Sequence, residues 1–158
     1  MHKSINNLVF IQNTLKIENI DLNKINIIAV SKTFPINEIS PLINHKQIHF
    51  GENKVQEALE KWTEIKQDFK NIKLHMIGKL QSNKVKFVVP LFDYIHSLDS
   101  LKLAKKISEE QNKIKKKLKI FIQINIGNEE QKNGIDENDL EDFYKKCVID
   151  YGLDIVGL

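Results

Sequence analysis

The sequence INIIAVSKTFP, residues 25–35, contains the clearest buried strand in this chain. Five of its first six residues are apolar, most of them are β-branched, and Asn26 is the one interruption. A turn marked by Pro35 follows. An apolar run of this length, bounded by a turn, predicts a buried strand of a parallel sheet. Lys32 follows this strand directly, so we expect it at the carboxyl edge of the sheet, where α/β folds gather their ligands.

Further predicted strands alternate with predicted helices along the chain. Apolar segments predict strands at residues 47–51, 74–77, 94–97, 120–126 and 153–158, and a helix is predicted ahead of the first strand at residues 4–18. This alternation favours a parallel sheet wrapped by helices. Six strands are compatible with an open doubly wound sheet, whereas a (β/α)8 barrel needs eight strands and typically about 250 residues.

Several helix boundaries carry signals of their own. The apolar stripe over residues 55–65 predicts one long helix, and Ser82 is expected to cap the next helix, which Pro90 ends. Position 99 or 100 is expected to open the helix after the fourth strand, and Asp136 to cap the helix after the fifth. The final apolar segment ends the chain inside a predicted strand, so we expect a truncated single domain over residues 1–158.

Composition excludes several classes of protein. The 158 residues include 24 Lys+Arg and 21 Asp+Glu, and a formal net charge of +3 is too small an excess to indicate nucleic-acid binding. No apolar run approaches the roughly 20 residues that cross a bilayer, and the amino terminus lacks the pattern of a secretory signal. We therefore expect a cytoplasmic protein with neither a membrane nor a nucleic-acid partner. The single cysteine, Cys147, lies at helical spacing among apolar residues, which predicts core packing.

Polar or functionally placed side chains lie at or just after the predicted strand ends. These candidates are Lys32, Asn53, His75, Ile77, Gln81, Asn83, Lys84, His96, Ser97 and Lys132. In a barrel, side chains from different strand ends converge on one mouth, which predicts a single site. Ordinary structural roles stay open for several of them: Asn53 as a helix cap, His75 as a satisfied core histidine, and Lys84 and Lys132 as solvated charges.

Lys32 lacks the companions that other catalytic chemistries need. The sequence shows no carboxylate pair, no Ser/His/Asp set and no His/Cys cluster to accompany it. An isolated lysine favours carbonyl chemistry, because its amine forms a Schiff base once burial or nearby cations lower its pKa from about 10.4. The candidate reactants are an aldehyde cofactor such as pyridoxal 5'-phosphate and the carbonyl of a sugar phosphate.

Five blocks of sequence resemble the pyridoxal-phosphate-binding homeostasis proteins. They are AVSKTFP at 29–35, FGENKVQEAL at 50–59, HMIGKLQSNK at 75–84, IHSLDSLKLAKKI at 95–107 and QINIGNEEQKNGI at 123–135. The blocks occur in the family's order and spacing, and the resemblance covers the chain from residue 25 onward. It implies a (β/α)8 TIM-type barrel of the alanine racemase N-terminal kind, of which residues 1–158 contain about six strands.

The same resemblance implies the cofactor and its ligands. Lys32 is similar to the lysine that carries pyridoxal 5'-phosphate as an internal aldimine, and Asn53, His75 and Ile77 are similar to residues that line the cofactor ring. Lys84 and Lys132 match lysines of the family's blocks and are assigned no more than an accessory role. The family holds the cofactor phosphate after the sixth strand, so we expect that anchor to lie beyond residue 158.

The implied function is vitamin B6 homeostasis without catalysis. Family members are regarded as carriers or regulators, which makes apoenzymes that depend on pyridoxal 5'-phosphate the expected recipients. A racemase-like or aldolase-like Schiff-base enzyme stays open as the alternative, although a two-base racemase needs a second proton-transfer group opposite the lysine. A third alternative, nucleic-acid binding through the lysines at 113–119, is disfavoured because these lysines lie across a helix end and a strand start.

Overall fold

The structure is a computed structural model that describes residues 2–127 and 133–158. Its six strands are β1 Ala29–Val30, β2 His49–Glu52, β3 Lys73–Met76, β4 Tyr94–Leu98, β5 Lys119–Ile122 and β6 Asp154–Gly157. They form one sheet in the order β1-β2-β3-β4-β5-β6, and each strand runs parallel to the next. A doubly wound sheet reverses its strand order at a switch point, so this sequential order identifies barrel-type winding. Within the described residues the barrel is not closed.

The helices follow the predicted alternation. They are α1 Lys3–Ile17, α2 Ile36–Asn44, α3 Val55–Trp62, α4 Ile65–Asp68, α5 Val85–Leu91, α6 Leu101–Ile114 and α7 Leu140–Ile149. Ser100 opens α6, as expected, because its hydroxyl accepts a hydrogen bond from the N–H of Leu103. Asp136 caps a 3-10 turn that leads into α7 by accepting from the N–H of Asn138. In the described ranges, every helix is too short or too polar to cross a membrane.

The two faces of the sheet have different surroundings. The outer face packs against the helices and forms the hydrophobic core, where the largest fully buried side chains include Trp62, Phe50, Leu74, Met76, Ile95 and Ile120. Each such side chain stabilises the fold by about 1.5–3 kcal/mol through burial. Cys147 is part of this core, as predicted, and burial raises the pKa of its thiol to about 11. The opposite side, here called the inner face, carries the alternate residues of each strand.

Some local predictions were wrong in detail. The single helix predicted over residues 55–65 is divided into α3 and α4. At the break the Thr63 hydroxyl bonds to the carbonyl of Leu59 at 2.6 Å and shares it with the Thr63 N–H, whose helical bond is long at 3.3 Å, and sharing of this kind weakens a helix. Ser82 begins a 3-10 turn and does not cap α5. Pro90 lies inside the last turn of α5, which ends one residue later at Leu91. The first strand is shorter than predicted, since its ladder pairing is confined to Ala29–Val30.

Candidate functional site

Lys32 lies in a tight turn that directly follows β1. The N–H of Ser31 donates to the carbonyl of Gly51 at 2.9 Å, so Ser31 continues the hydrogen bonding between β1 and β2. The N–H of Phe34 then donates to the carbonyl of Ser31 at 3.2 Å and closes the turn. The Lys32 side chain is exposed and makes no hydrogen bond or ion pair with any described residue. Its amine is therefore available to a ligand at the carboxyl end of β1.

A buried polar network lies beneath this turn. Glu52, at the end of β2, is fully buried, and its Oε1 accepts hydrogen bonds from the Ser31 hydroxyl at 2.7 Å and from Trp62 Nε1 at 2.9 Å. The ammonium of Lys61 pairs with the same oxygen at 2.9 Å. A buried carboxylate is stable only when it is paired and hydrogen-bonded, and these contacts meet that need for one of its two oxygens.

Asn53 follows Glu52 and carries an unsatisfied acceptor. Its Oδ1 is buried and has no hydrogen-bond partner among the described residues. The N-cap of α3 is Lys54, and no side chain caps that helix, so the structure does not show Asn53 as a cap. Buried polar atoms are rarely left unpaired, which makes this oxygen a candidate to receive a donor from a ligand.

Ile77 belongs to an apolar layer on the inner face. Its N–H donates to the carbonyl of Glu52 at 2.9 Å, which ties the end of β3 to β2. A Cβ added at Gly51 would lie 3.2 Å from Ile77 Cδ1 and 3.3 Å from Ile28 Cγ2, so these two side chains fill the space over the glycine. The layer thus joins Ile28, which precedes β1, to Ile77, which follows β3, across Gly51 of β2.

His75 is the centre of a row of three histidines on the inner face. Its Nε2 lies 2.9 Å from Nδ1 of His49, and its Nδ1 lies 2.9 Å from Nε2 of His96. The His75 ring also stacks on Tyr94, with centroids 4.1 Å apart and planes 8° from parallel. Both ring nitrogens of His75 are thus engaged within the protein.

The histidine row is held in its neutral form. Burial, followed by the nearby His96 and His49, lowers the pKa of His75 to about 3. Burial and Lys73 lower the pKa of His49, and burial alone lowers that of His96. Neutral imidazoles have one donor and one acceptor nitrogen each, so both bonds of the row run in the same direction along it.

The two lysines with a predicted accessory role differ in what the structure describes of them. Lys84 ends the 3-10 turn Ser82–Lys84, and its Nζ lies 6.0 Å from the centroid of the Phe87 ring. Lys132 lies outside the described residues. In residues 2–127 and 133–158, no cluster of three or more His, Cys, Asp or Glu side chains could hold a metal ion.

Sequence reasoning missed Glu52, Lys61 and His49. Their signals were present but indirect, because Glu52 directly precedes the candidate Asn53 and Lys61 follows Glu57 by four residues on the same helix. His49 lies on the same strand face as Gly51, two residues away, which would have predicted its place on the inner face.

The sheet and the exposed amine define the class of this protein: a (β/α) barrel-type domain with a lysine at the end of its first strand. The family model described as "Alanine racemase, N-terminal domain" matches residues 9–158. The chain therefore belongs to the alanine racemase N-terminal domain family.

Two curated relatives with the same name match most of this chain. The chain is 44% identical over 124 residues to the pyridoxal phosphate homeostasis protein of Pasteurella multocida, covering 77% of this chain and 52% of the relative. It is 40% identical over 130 residues to the protein of the same name from Haemophilus influenzae, covering 82% and 55%. The chain thus spans about half the length of the curated relatives it matches.

A solved structure agrees with the fold. PipY of Synechococcus elongatus PCC7942, solved with PLP bound, has a TM-score of 0.79 and 32% identity to this chain, covering 93% of this chain and 68% of PipY. The alanine racemase of Clostridium difficile 630 has a TM-score of 0.69 at 18% identity, which shows similarity of fold alone.

Proposed function

We propose that this chain binds pyridoxal 5'-phosphate through Lys32 and serves the homeostasis of that cofactor. The observation that carries the proposal is the exposed, unpartnered amine at the carboxyl end of β1. The bound PLP of PipY and the shared name of the curated relatives support the choice of cofactor. When bound, this cofactor supplies an aldehyde that condenses with a primary amine.

The neighbouring residues fit such a ligand. We infer that the unsatisfied Oδ1 of Asn53 accepts a hydrogen bond from a ring substituent and that Ile77 packs against the ring. His75 lies two residues before Ile77 on the same strand face, and both of its nitrogens are engaged by other histidines. We therefore assign His75 a supporting position below the residues that contact the cofactor, and we expect it to donate no hydrogen bond to the cofactor.

The proposed role is binding and not turnover. A two-base racemase needs a second proton-transfer group opposite its lysine, and the Lys32 side chain makes no hydrogen bond or ion pair with a described residue that could supply one. The homeostasis name of the relatives supports the same inference. Lys84 and Lys132 are assigned no more than an accessory role in binding.

The recipients of the cofactor follow from this role. We propose cytoplasmic apoenzymes that depend on pyridoxal 5'-phosphate, because a carrier of a reactive aldehyde is useful where such enzymes are made. The phosphate anchor, by resemblance to the family, belongs to turns that follow the sixth strand.

Chemical trapping tests the proposal. Pyridoxal 5'-phosphate is added to the purified chain, the visible absorbance is recorded, borohydride reduces the adduct, and peptide mapping locates it. We expect the main adduct on Lys32, its loss in Lys32→Ala, and its retention in the matched variant Lys105→Ala, which removes an exposed lysine of α6 that has no assigned role. The same adduct pattern in Lys32→Ala and the unmodified chain would refute the assignment.

A further inference from the structure

We propose that Glu57 and Lys61 of α3 form a clamp on the turn after β1 and thereby act as positioning residues for Lys32. The inference rests on the proposed function of Lys32, and it adds two residues to which sequence reasoning assigned no role. Neither of them needs to touch the cofactor. Their effect passes through the backbone of the turn that carries the amine.

The turn contains an unfavourable backbone conformation next to Lys32. Thr33 has a φ of +66°, and it occupies the third position of the turn that Phe34 closes on Ser31. A turn with positive φ at this position prefers glycine or asparagine, since a β-branched side chain there crowds the backbone. The conformation therefore persists only where surrounding contacts impose it.

Glu57 supplies the contact that imposes it. Its Oε1 accepts a hydrogen bond of 2.6 Å from the N–H of Thr33. The hydrogen bond from Lys61 is the main reason that the pKa of Glu57 is lowered, and the bond from Thr33 acts in the same direction. Glu57 is therefore a charged acceptor at neutral pH, and charged acceptors make the stronger hydrogen bonds.

Lys61 joins the turn to the helix. Its ammonium donates to Glu57 Oε1 at 3.0 Å, to the carbonyl of Ser31 at 2.9 Å and to Glu52 Oε1 at 2.9 Å. The Lys61 side chain is 8% exposed, so its three contacts are shielded from water. The residues on both sides of Lys32 are thus bonded to side chains of one helix: Ser31 to Lys61 and Thr33 to Glu57.

The position of α3 explains why the clamp is effective. Glu57 and Lys61 are four residues apart and lie on one face of the helix, which begins two residues after Asn53. The segment that presents Asn53 therefore also holds the turn of Lys32. Rigid elements that fix a reactive group near its working geometry avoid an entropic cost at the moment of reaction.

The first arm of the test measures the turn without cofactor. Amide hydrogen exchange by NMR reports the protection of the Thr33 N–H in the wild-type chain, Glu57→Ala, Glu57→Gln and the control Glu60→Ala. Glu60 lies on the same helix, is exposed and bonds only to Gln56 on that helix. We expect exchange at Thr33 to be about tenfold faster in Glu57→Ala, largely restored in Glu57→Gln, whose amide oxygen can still accept, and unchanged in Glu60→Ala. Unchanged exchange in Glu57→Ala would overturn the clamp.

The second arm measures Lys32 itself. The same proteins are titrated with pyridoxal 5'-phosphate and trapped with borohydride, and the yield at Lys32 is divided by the yield at the exposed Lys105 in the same sample. We expect an apparent affinity about tenfold weaker at Lys32 in Glu57→Ala, with recovery in Glu57→Gln. An unchanged ratio in Glu57→Ala would overturn the positioning role.

A glycine at position 33 links the two arms. Glycine adopts positive φ without strain, so Thr33→Gly should hold the turn with less help from Glu57. We expect Glu57→Ala to reduce the Lys32 yield by no more than about threefold in the Thr33→Gly background. Equal losses in both backgrounds would show that the strain at Thr33 is not what the clamp opposes.

The proposed function and the clamp fail differently. A wild-type chain labelled no more at Lys32 than at Lys105 would overturn the proposed function and the positioning role together. The exchange measurement would still decide whether Glu57 holds the turn.

Discussion

His75 and His96, on the adjacent strands β3 and β4, place Nδ1 of the first 2.9 Å from Nε2 of the second. The same spacing joins His75 to His49 on β2, so one row of hydrogen-bonded imidazoles crosses three strands. A proton added to the central ring makes both of its nitrogens donors, so the neighbour that had donated to this ring must change tautomer and accept instead. Protonation of the row therefore requires its hydrogens to rearrange, in addition to placing a charge in a buried position.

We expect acid to destabilise the fold through this row. The pKa of His75 is lowered from 6.5 to about 3 by burial and by the neighbouring histidines. Lys66 also lowers this pKa, whereas Asp93 raises it. The unfolded chain takes up this proton below pH 6.5, whereas the folded chain does not until about pH 3. The stabilisation is therefore complete above pH 6.5 and is lost as the pH falls, by up to about 1.4 kcal/mol per pH unit for one histidine.

Urea unfolding at pH 7, 6 and 5 measures this dependence. The range stops at pH 5 because carboxylates titrate below it. His75→Gln should have a lower free energy of unfolding at pH 7 and a flatter dependence on pH, while His45→Gln, an exposed histidine at the end of α2, should retain the wild-type slope. Identical slopes for the wild-type chain and His75→Gln would contradict the expectation.

Lys61→Met should destabilise the fold strongly. The substitution leaves Glu52, which is fully buried, without its cation, and removing one partner of a buried pair typically costs about 3–5 kcal/mol. Lys145→Met removes an ion pair with Glu141 on the exposed surface of α7, where the expected cost is below about 1 kcal/mol. Chemical denaturation of both variants gives the comparison, and equal losses would show that the Glu52 pair is not buried as described.

Much of the fold was predictable because the periodicity of apolar residues is a local signal. The alternation of strands and helices, the strand before Lys32 and the cap at Ser100 follow from residues close in sequence. The choice between a doubly wound sheet and a barrel depends on which strands are neighbours. That choice is a long-range property, and only the resemblance to a family indicated it.

The positions of the candidate site residues were predictable in part for the same reason. Lys32 and Asn53 were recognisable as candidates because each closely follows a strand, and their roles in binding stay a prediction. In the histidine row, His49 and His75 are 26 positions apart and His75 and His96 are 21 positions apart. The parallel register that aligns them depends on three strands together and cannot be predicted from one segment. The clamp was missed because the hydrogen bond from the Thr33 N–H to Glu57 depends on a positive φ at Thr33, and a threonine in the sequence does not predict that conformation.

We expect no racemisation or transamination above the rate of free pyridoxal 5'-phosphate. The Lys32 side chain has no hydrogen bond or ion pair to a described residue that could serve as a second base, so a proton that this amine removed from an amino acid would return to the same face and leave the configuration unchanged. Chiral analysis of alanine and other common amino acids, incubated with cofactor and either the wild-type chain or Lys32→Ala, checks this. Sustained turnover that disappears in Lys32→Ala would place the protein among the Schiff-base enzymes.

Gly78→Ala should separate the ends of β2 and β3 and so disturb Asn53. A Cβ at Gly78 would lie 2.7 Å from Asn53 Cα and would overlap the backbone oxygen of the same residue. These are backbone atoms, which cannot move aside as the end of a flexible side chain can. We therefore expect a loss of about 1–3 kcal/mol in the free energy of unfolding.

The control for this substitution is Gly152→Asn. Gly152 has a φ of +60° and no heavy atom within 4 Å of an added Cβ, and asparagine tolerates that backbone region. We expect this variant to unfold within about 0.5 kcal/mol of the wild-type chain, since its change is on an open surface. Because the clash at Gly78 falls on Asn53, Gly78→Ala should also lower the Lys32 adduct yield under conditions where the protein is still folded, whereas Gly152→Asn should not. A Gly78→Ala chain that is both stable and fully labelled at Lys32 would show that Asn53 does not need its observed backbone position to support the cofactor.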